Sequence, residues 1–387
     1  MRASRRMQAI QDPVIPVVNE LVRTHPGTLS LGQGMSFFGP PPGALARARA
    51  FGSEPGHHKY TPGQGLEELR DLIARKLGAE NGTPLGPDRA LVVTAGGNMA
   101  FLNALFAIAD PGDEVVLPLP CYFNHEMALR MLDCVPVTVP TDGNHQLDLD
   151  RIEAALTPRT RAVVTISPNN PTGAVYPEAA LRAVNRLCRD RGIYHISDEA
   201  YENFVHDGAS HFSPASIPGS QAHTIALYSL SKAYGFASWR IGYMVFPSHL
   251  YMSVMKAQDT NLICPPAISQ HAAIGALEAG SAYCRGHLPA LRRVRSLVLD
   301  ELRALDAFCD VPCTQGAFYF FLRVNRPLDA MGLVERLIRE HGVAVVPGNA
   351  FGVADACTLR VSYGMLTEAT AREGIRRLAR GLRCLLA

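Results

Sequence analysis

Seven short apolar runs, alternating with longer periodic segments, predict an α/β protein built on a mostly parallel sheet. The runs are Leu91–Thr94, Val115–Leu117, Val135–Val139, Ala162–Ile166, Ile193–Ser197, Thr224–Tyr228 and Ile241–Phe246. Their continuous apolar character marks strands buried on both faces. Between several of them lie helical segments such as Pro177–Asp190, where Leu181, Val184 and Leu187 share one face. Strand–helix alternation of this kind implies a seven-stranded, mostly parallel sheet covered by helices. After a long helical stretch (about 265–307) the pattern changes to a smaller α+β unit.

Taken in order, residues 1–30 form an arm with a short helix, Val14–Arg23, and Pro40-Pro41-Pro42-Gly43 punctuates the entry to the main body. The large domain is expected over residues 44–285, preceded by the segment 1–43. The smaller domain, 286–387, is expected to hold a strand at Ala317–Val324 and a helix at Pro327–His341. Strands near 343–347 and 358–362 and a closing helix from Thr367 complete it. The boundary near residue 285 falls inside helical sequence, with no linker to mark it.

Length and composition agree with two packed units. At 387 residues the chain exceeds what one core usually holds. Hydrophobic residues at 47% and charged residues at 19% are the balance of an ordinary globular protein. Lys plus Arg is 37 against 35 Asp plus Glu, and a net charge of +2 makes no electrostatic case for nucleic acid or membrane. The basic amino terminus has no apolar stretch behind it, so a secretory signal is not expected. No apolar run approaches a membrane span. The nine Cys are scattered without a disulfide or metal pattern, which suggests reduced thiols and a cytoplasmic protein.

Open parallel sheets bind ligands at the carboxyl ends of their strands. The first run ends in Thr94-Ala95-Gly96-Gly97-Asn98 before an apolar helix, a turn whose bare N–H groups suit an anion. Read alone, it equally suits a tight connection with no ligand. The fourth run leads into Ser167-Pro168-Asn169-Asn170-Pro171-Thr172-Gly173, where Asn170 is held extended before proline with its amide free. The fifth ends in Ser197-Asp198-Glu199-Ala200-Tyr201. A carboxylate there needs a cationic or protonated partner, unless Asp198 merely caps a helix beside water. The sixth run reads Tyr228-Ser229-Leu230-Ser231-Lys232, with Arg240 eight residues on. A partly buried Lys can act as an amine nucleophile, while Ser and Arg are types that grip a phosphate dianion. The pairs His57-His58 and His125-Glu126 lack a second ligand at helical spacing, so no metal site is expected.

Together these segments resemble the class I/II aminotransferase family of fold type I pyridoxal-phosphate enzymes, in particular its kynurenine/glutamine aminotransferase-like branch. The resemblance runs from about residue 28 to 366. It implies that the arm and the C-terminal part form the smaller domain and that residues 44–285 bind pyridoxal 5′-phosphate. Lys232 would carry the cofactor as a Schiff base and then move the substrate's α-proton. Asp198 would keep the pyridine nitrogen protonated, and Asn170 and Tyr201 would hydrogen-bond the ring oxygen. Tyr122 would stack on the ring. The phosphate would be held by the turn Gly96-Gly97-Asn98, by Ser229, Ser231 and Arg240, and by Tyr60 from a partner subunit in a homodimer. Arg360 in Leu359-Arg360-Val361-Ser362 would clamp the substrate α-carboxylate, and Gly34 in Leu31-Gly32-Gln33-Gly34 would let backbone approach it. Gly97 stands where a hydroxyl or alanine is more usual, and Phe123 follows Tyr122 where proline is common.

The resemblance implies transamination between an L-amino acid and a 2-oxo acid. Elimination, β- or γ-replacement or ring closure on the same scaffold remains open, as does a non-catalytic regulatory pyridoxal-phosphate module. The stretch Thr260-Asn261-Leu262-Ile263-Cys264-Pro265-Pro266 carries no Arg to meet a side-chain carboxylate. With Met35, Phe37, Phe38 and Phe318, this favours a neutral, aromatic or sulfur-containing substrate.

Overall fold

The computed structural model describes residues 4–386. Its main sheet has seven strands: β2 (Arg89–Thr94), β3 (Glu114–Leu119), β4 (Val135–Pro140), β5 (Thr160–Ile166), β6 (Tyr194–Asp198), β7 (Thr224–Ser229) and β8 (Gly242–Pro247). A short β1 (Leu29–Ser30) precedes them. The order across the sheet is β2-β8-β7-β6-β5-β3-β4. All seven expected strands are present. β8 runs antiparallel to both β2 and β7, while the remaining pairs are parallel.

The continuous apolar runs are explained by burial on both faces. Ala226 and Tyr228 of β7 pack into one cluster with Leu69, Ile73 and Ala272, whereas Ile225 and Leu227 pack into another with Phe101 and Leu105. The period of two along each strand thus delivers alternate residues to two apolar layers. Helices Glu67–Glu80 and Ala267–Glu278 cover the first face; Gly97–Ile108 and Tyr251–Asn261 cover the second.

A second, antiparallel sheet has the order β12-β13-β10-β9, from β9 (Cys309–Asp310), β10 (Tyr319–Val324), β12 (Val346–Pro347) and β13 (Thr358–Ser362). Helices Ala330–His341 and Glu368–Leu386 pack with it. The arm reaches this region through β1, which pairs in parallel with β11 (Val343–Ala344). Leu31 N donates to Ala344 O at 2.7 Å and Ser362 N to Leu31 O at 2.7 Å. The segment 31–34 is therefore stitched beside β13, close to Arg360. The long helical stretch divides at Gly280 (φ 67°) into Ala267–Glu278 and Ala282–Arg303, and residue 285 lies inside the second helix. No described helix is long and apolar enough to cross a membrane.

Candidate active site

A pocket of about 320 Å³ lies at the carboxyl ends of the parallel strands, roofed by the arm and the small sheet. Lys232, Asp198, Tyr201, Tyr122, Asn170, Ser229, Ser231, Arg240, Gly97, Asn98, Gly34 and Arg360 all line it. Residues nearly 330 positions apart in the chain thus meet in one cleft.

The floor comes from the ends of β5, β6 and β7, with Ile166 of β5 in the lining. β6 delivers Asp198, whose Oδ1 accepts from Ala200 N at 3.1 Å. Its Oδ2 lies 3.2 Å from His125 Nε2, and His125 is buried, stacked on Phe101 at 4.0 Å. The partner that a carboxylate at a strand end requires is therefore His125. In the sequence His125 stood out only beside Glu126, as a pair without a second ligand for a metal. β7 ends at Ser229, which caps the short helix Leu230–Ala233 by accepting from Ser231 N at 3.2 Å. Lys232 projects from this helix, and its Nζ donates to Gly34 O at 2.5 Å.

Burial, followed by the nearby Arg360 and Arg240 guanidiniums, lowers the Lys232 pKa to about 8; Asp198 opposes the shift. A depressed value means the amine is neutral from about pH 8 upward rather than from the usual range near 10.5. Cofactor uptake by the apo-chain, followed by absorbance, is expected to accelerate as pH rises and to level off with a midpoint near 8. A midpoint near 10.5 would show that the capturing amine keeps its ordinary pKa despite its burial.

The opposite end is an anion cradle. Gly96 (φ 83°) precedes helix Gly97–Ile108 with no side chain capping it, so the first N–H groups face the pocket without an intrahelical partner. A Cβ at Gly96 would strike the Arg240 guanidinium. Arg240 itself has φ 55°, and its Nη1 donates to Ala237 O at 2.9 Å. This donor set fits a phosphate group.

The small sheet supplies the upper wall. Arg360 is 3% exposed; Nη1 donates to Asn170 Oδ1 at 2.9 Å and Nη2 to Gly32 O at 2.7 Å. Its Nε is buried without a partner, and the guanidinium lies 4.6 Å from the Tyr319 ring centroid. Tyr319 was not anticipated. Its Oη lies 2.6 Å from Tyr201 Oη, and a Cβ at Gly34 would come within 2.6 Å of the same hydroxyl. Burial, then Tyr319, pushes the Tyr201 phenol well above 10, so it stays a protonated donor. Tyr122 is likewise raised by burial and accepts from Asn124 Nδ2 at 2.8 Å. Ile15 and Phe123 also line the pocket, the first from helix Val14–Thr24 of the arm. Of the expected site residues, Tyr60 is not in the lining and is 81% exposed; of the expected apolar residues Met35 lines the pocket, whereas Phe37, Phe38 and Phe318 do not, Phe318 being packed in the core and Phe38 stacked on His287. Gly96 stands behind Arg240.

Outside the pocket, and among the described residues, Glu199, Glu202 and His211 place ligand atoms within 4.8 Å of one another. Their charges already have partners. Lys76 Nζ lies 2.8 Å from Glu202, and Ser213 Oγ donates to Glu199 at 2.8 Å.

The family model for aminotransferase class I and II matches residues 26–378, and the chain belongs to that family. It is an aminotransferase, and enzymes of this kind use pyridoxal 5′-phosphate. It is 36% identical to aspartate/prephenate aminotransferase of Thermus thermophilus, over 98% of both chains. It is 33% identical to aromatic aminotransferase ISS1 of Arabidopsis thaliana, over 99% of this chain and 97% of that one. A solved Thermus thermophilus aspartate aminotransferase single mutant superposes with a TM-score of 0.90 at 36% identity, covering 98% of this chain and all of that one.

Proposed function

We propose that this aminotransferase moves the amino group of a neutral, aromatic or sulfur-containing L-amino acid to a 2-oxo acid. The observation that carries the substrate reading is the short supply of positive charge. Lys232, Arg240 and Arg360 are the cations lining the pocket. An amine, a phosphate site and an α-carboxylate site account for all three. Ile15, Met35 and Phe123 line the remaining space with apolar surface. A second carboxylate on the substrate would be desolvated there without a partner. The relatives' names include both aspartate/prephenate and aromatic activities, and the apolar lining favours the aromatic side.

Bound pyridoxal phosphate supplies an aldehyde for the amino group and a protonated ring that withdraws electrons from the α-carbon. The chain's own groups do the rest. Asp198, held by His125 and by Ala200 N, keeps a proton on the ring nitrogen. Asn170 and Tyr201 donate to the ring oxygen, and Tyr122 covers one face. Gly96, Gly97, Asn98, Ser229, Ser231 and Arg240 hold the phosphate. Arg360, fixed by Asn170 and Gly32, grips the α-carboxylate through its remaining guanidinium N–H groups, with Gly34 leaving room for close approach. Lys232 Nζ would take the α-proton and give it up to the cofactor's aldehyde carbon, on the other side of the amino nitrogen. The arm helix carrying Ile15 excludes water from this transfer.

The same reading assigns residues 1–43 to an arm with the substrate loop, 44–285 to the cofactor-binding domain and 286–387 to the small domain. It makes the enzyme a homodimer in which the partner subunit's Tyr60 completes each phosphate site, consistent with the exposure of Tyr60. All nine cysteines are free, which supports a cytoplasmic setting.

Steady-state kinetics across aspartate, methionine, phenylalanine and glutamine test the substrate class; a clear preference for aspartate sinks it. Arg360→Ala is expected to lower kcat/KM roughly 100-fold, mainly through KM, since truncating one partner of a buried charge pair costs about 2–5 kcal/mol. An unchanged KM moves the carboxylate site elsewhere. Tyr60→Phe is expected to loosen cofactor retention about tenfold, as hydrogen bonds to charged groups contribute about 1.5–3 kcal/mol. A fully active monomer rules out the shared site.

A further inference from the structure

A second cavity, of about 610 Å³, lies farther along the same face of the small sheet. The register pairs Phe321 with Arg360 and Arg323 with Thr358, and alternate strand residues share a face. Tyr319 and Arg360 therefore face the catalytic pocket, while Arg323 and Thr358 face the next cleft. Asp310 pairs with Arg323 on the other side. The opposite wall is the edge of the main sheet, from Leu119 at the end of β3 and His145 after β4. Phe321 and Phe351 form the partition between the two spaces. Their ring centroids are 6.0 Å apart, and Phe351 lies 5.0 Å from the Arg360 guanidinium.

Two polar atoms beside this cleft lie beneath its surface without a partner. Thr358 is 4% exposed, and its Oγ1, packed against Gly348, has no hydrogen-bond partner. His145 Nε2 is also buried without one. The His145 backbone sits at φ 59°, a conformation that favours glycine, and the ring packs edge-on against Phe321 at 5.9 Å. Burial lowers its pKa to about 4, so the imidazole is neutral near pH 7.

The charges specify the ligand. Arg323 offers one cation, and Asp310 and Asp355 offer carboxylates. Asp142 is already engaged, accepting from Asn144 N and Gln146 N at 2.8 Å. Leu119, Phe321 and Val353 provide an apolar bed. We propose that this cleft is a second, non-catalytic binding site for an amino-acid zwitterion with an apolar or aromatic side chain. The carboxylate meets Arg323, the ammonium meets Asp310 or Asp355, and the side chain lies against Phe321. An occupant sits two ring contacts from Arg360.

The test is equilibrium dialysis of the holoenzyme with labelled α-methyl-L-phenylalanine, which has no α-hydrogen to lose. The wild-type chain is expected to bind one equivalent more than Arg323→Ala, while kcat without the probe stays the same in both. Arg360→Ala is expected to keep that extra equivalent. His145→Gly suits the local backbone and is expected to weaken the same site about tenfold, a second reading should Arg323→Ala fold poorly. Equal binding by wild type and Arg323→Ala, or by wild type and His145→Gly, overturns the proposal.

Discussion

Lys232→Ala is expected to lower turnover by about four orders of magnitude or more while leaving the fold intact. Lys232 is the amine among the pocket's lining residues, and its lowered pKa of about 8 keeps a usable fraction neutral near physiological pH. Proton transfer by a placed base contributes about 10²–10⁴-fold, and loss of the covalent amine adds to that. The neighbouring Leu230, Ser231 and Ala233 are buried and keep the short helix packed, so truncation removes chemistry rather than structure. Cofactor binding through Arg240, Ser229 and the Gly96 turn should persist. A single-turnover absorbance experiment without 2-oxo acid, with products identified by mass, reads the result. The wild-type chain is expected to yield one equivalent of 2-oxo acid per site. Multiple turnovers without an acceptor would instead indicate elimination or replacement, and full activity in Lys232→Ala would assign proton transfer to another group.

Asp198→Ala is expected to lower kcat about 10²–10³-fold, the usual effect of removing one preorganised electrostatic group from an active site. It also carries a structural cost that Lys232→Ala lacks. His125 is buried, its Nδ1 already has no partner, and Asp198 Oδ2 is the acid beside its Nε2 at 3.2 Å. Removing the carboxylate strands the imidazole, at about 1–3 kcal/mol of stability. Thermal unfolding should therefore shift downward together with kcat. Asp198→Glu keeps the charge and is expected to restore part of both. A variant with unchanged kcat and a lowered unfolding temperature would make Asp198 a structural residue only.

The strands were legible because burial on both faces writes a continuous apolar run, and Leu91–Thr94 or Thr224–Tyr228 needs no partner to be recognised. The antiparallel direction of β8 was not. A strand's own residues do not say which neighbours it pairs with, and β2, β7 and β8 come together across about 150 residues of chain. The division of the long helical stretch at Gly280 was missed for a related reason, since flanking apolar periodicity masked a single left-handed residue.

The same contrast holds at the site. Residue types at fixed local spacing (Asp198 with Tyr201, Ser229 with Lys232 and Arg240) declared the chemistry, because each pair sits on one turn or loop that the local sequence shapes. His125, Tyr319 and Ile15 carried no such signal. They reach the pocket from a helix, a second sheet and the arm, and only packing brings them there. The sequence by itself determined the strands, the lysine proposed as catalytic and the groups that suit the cofactor, since these depend on local pattern and residue chemistry. The tertiary structure decided strand order, the partners of Asp198 and Tyr201, the apolar lining of the pocket and the second cleft. Each of those is a juxtaposition of distant segments, set by how the sheets and helices bury their apolar faces together.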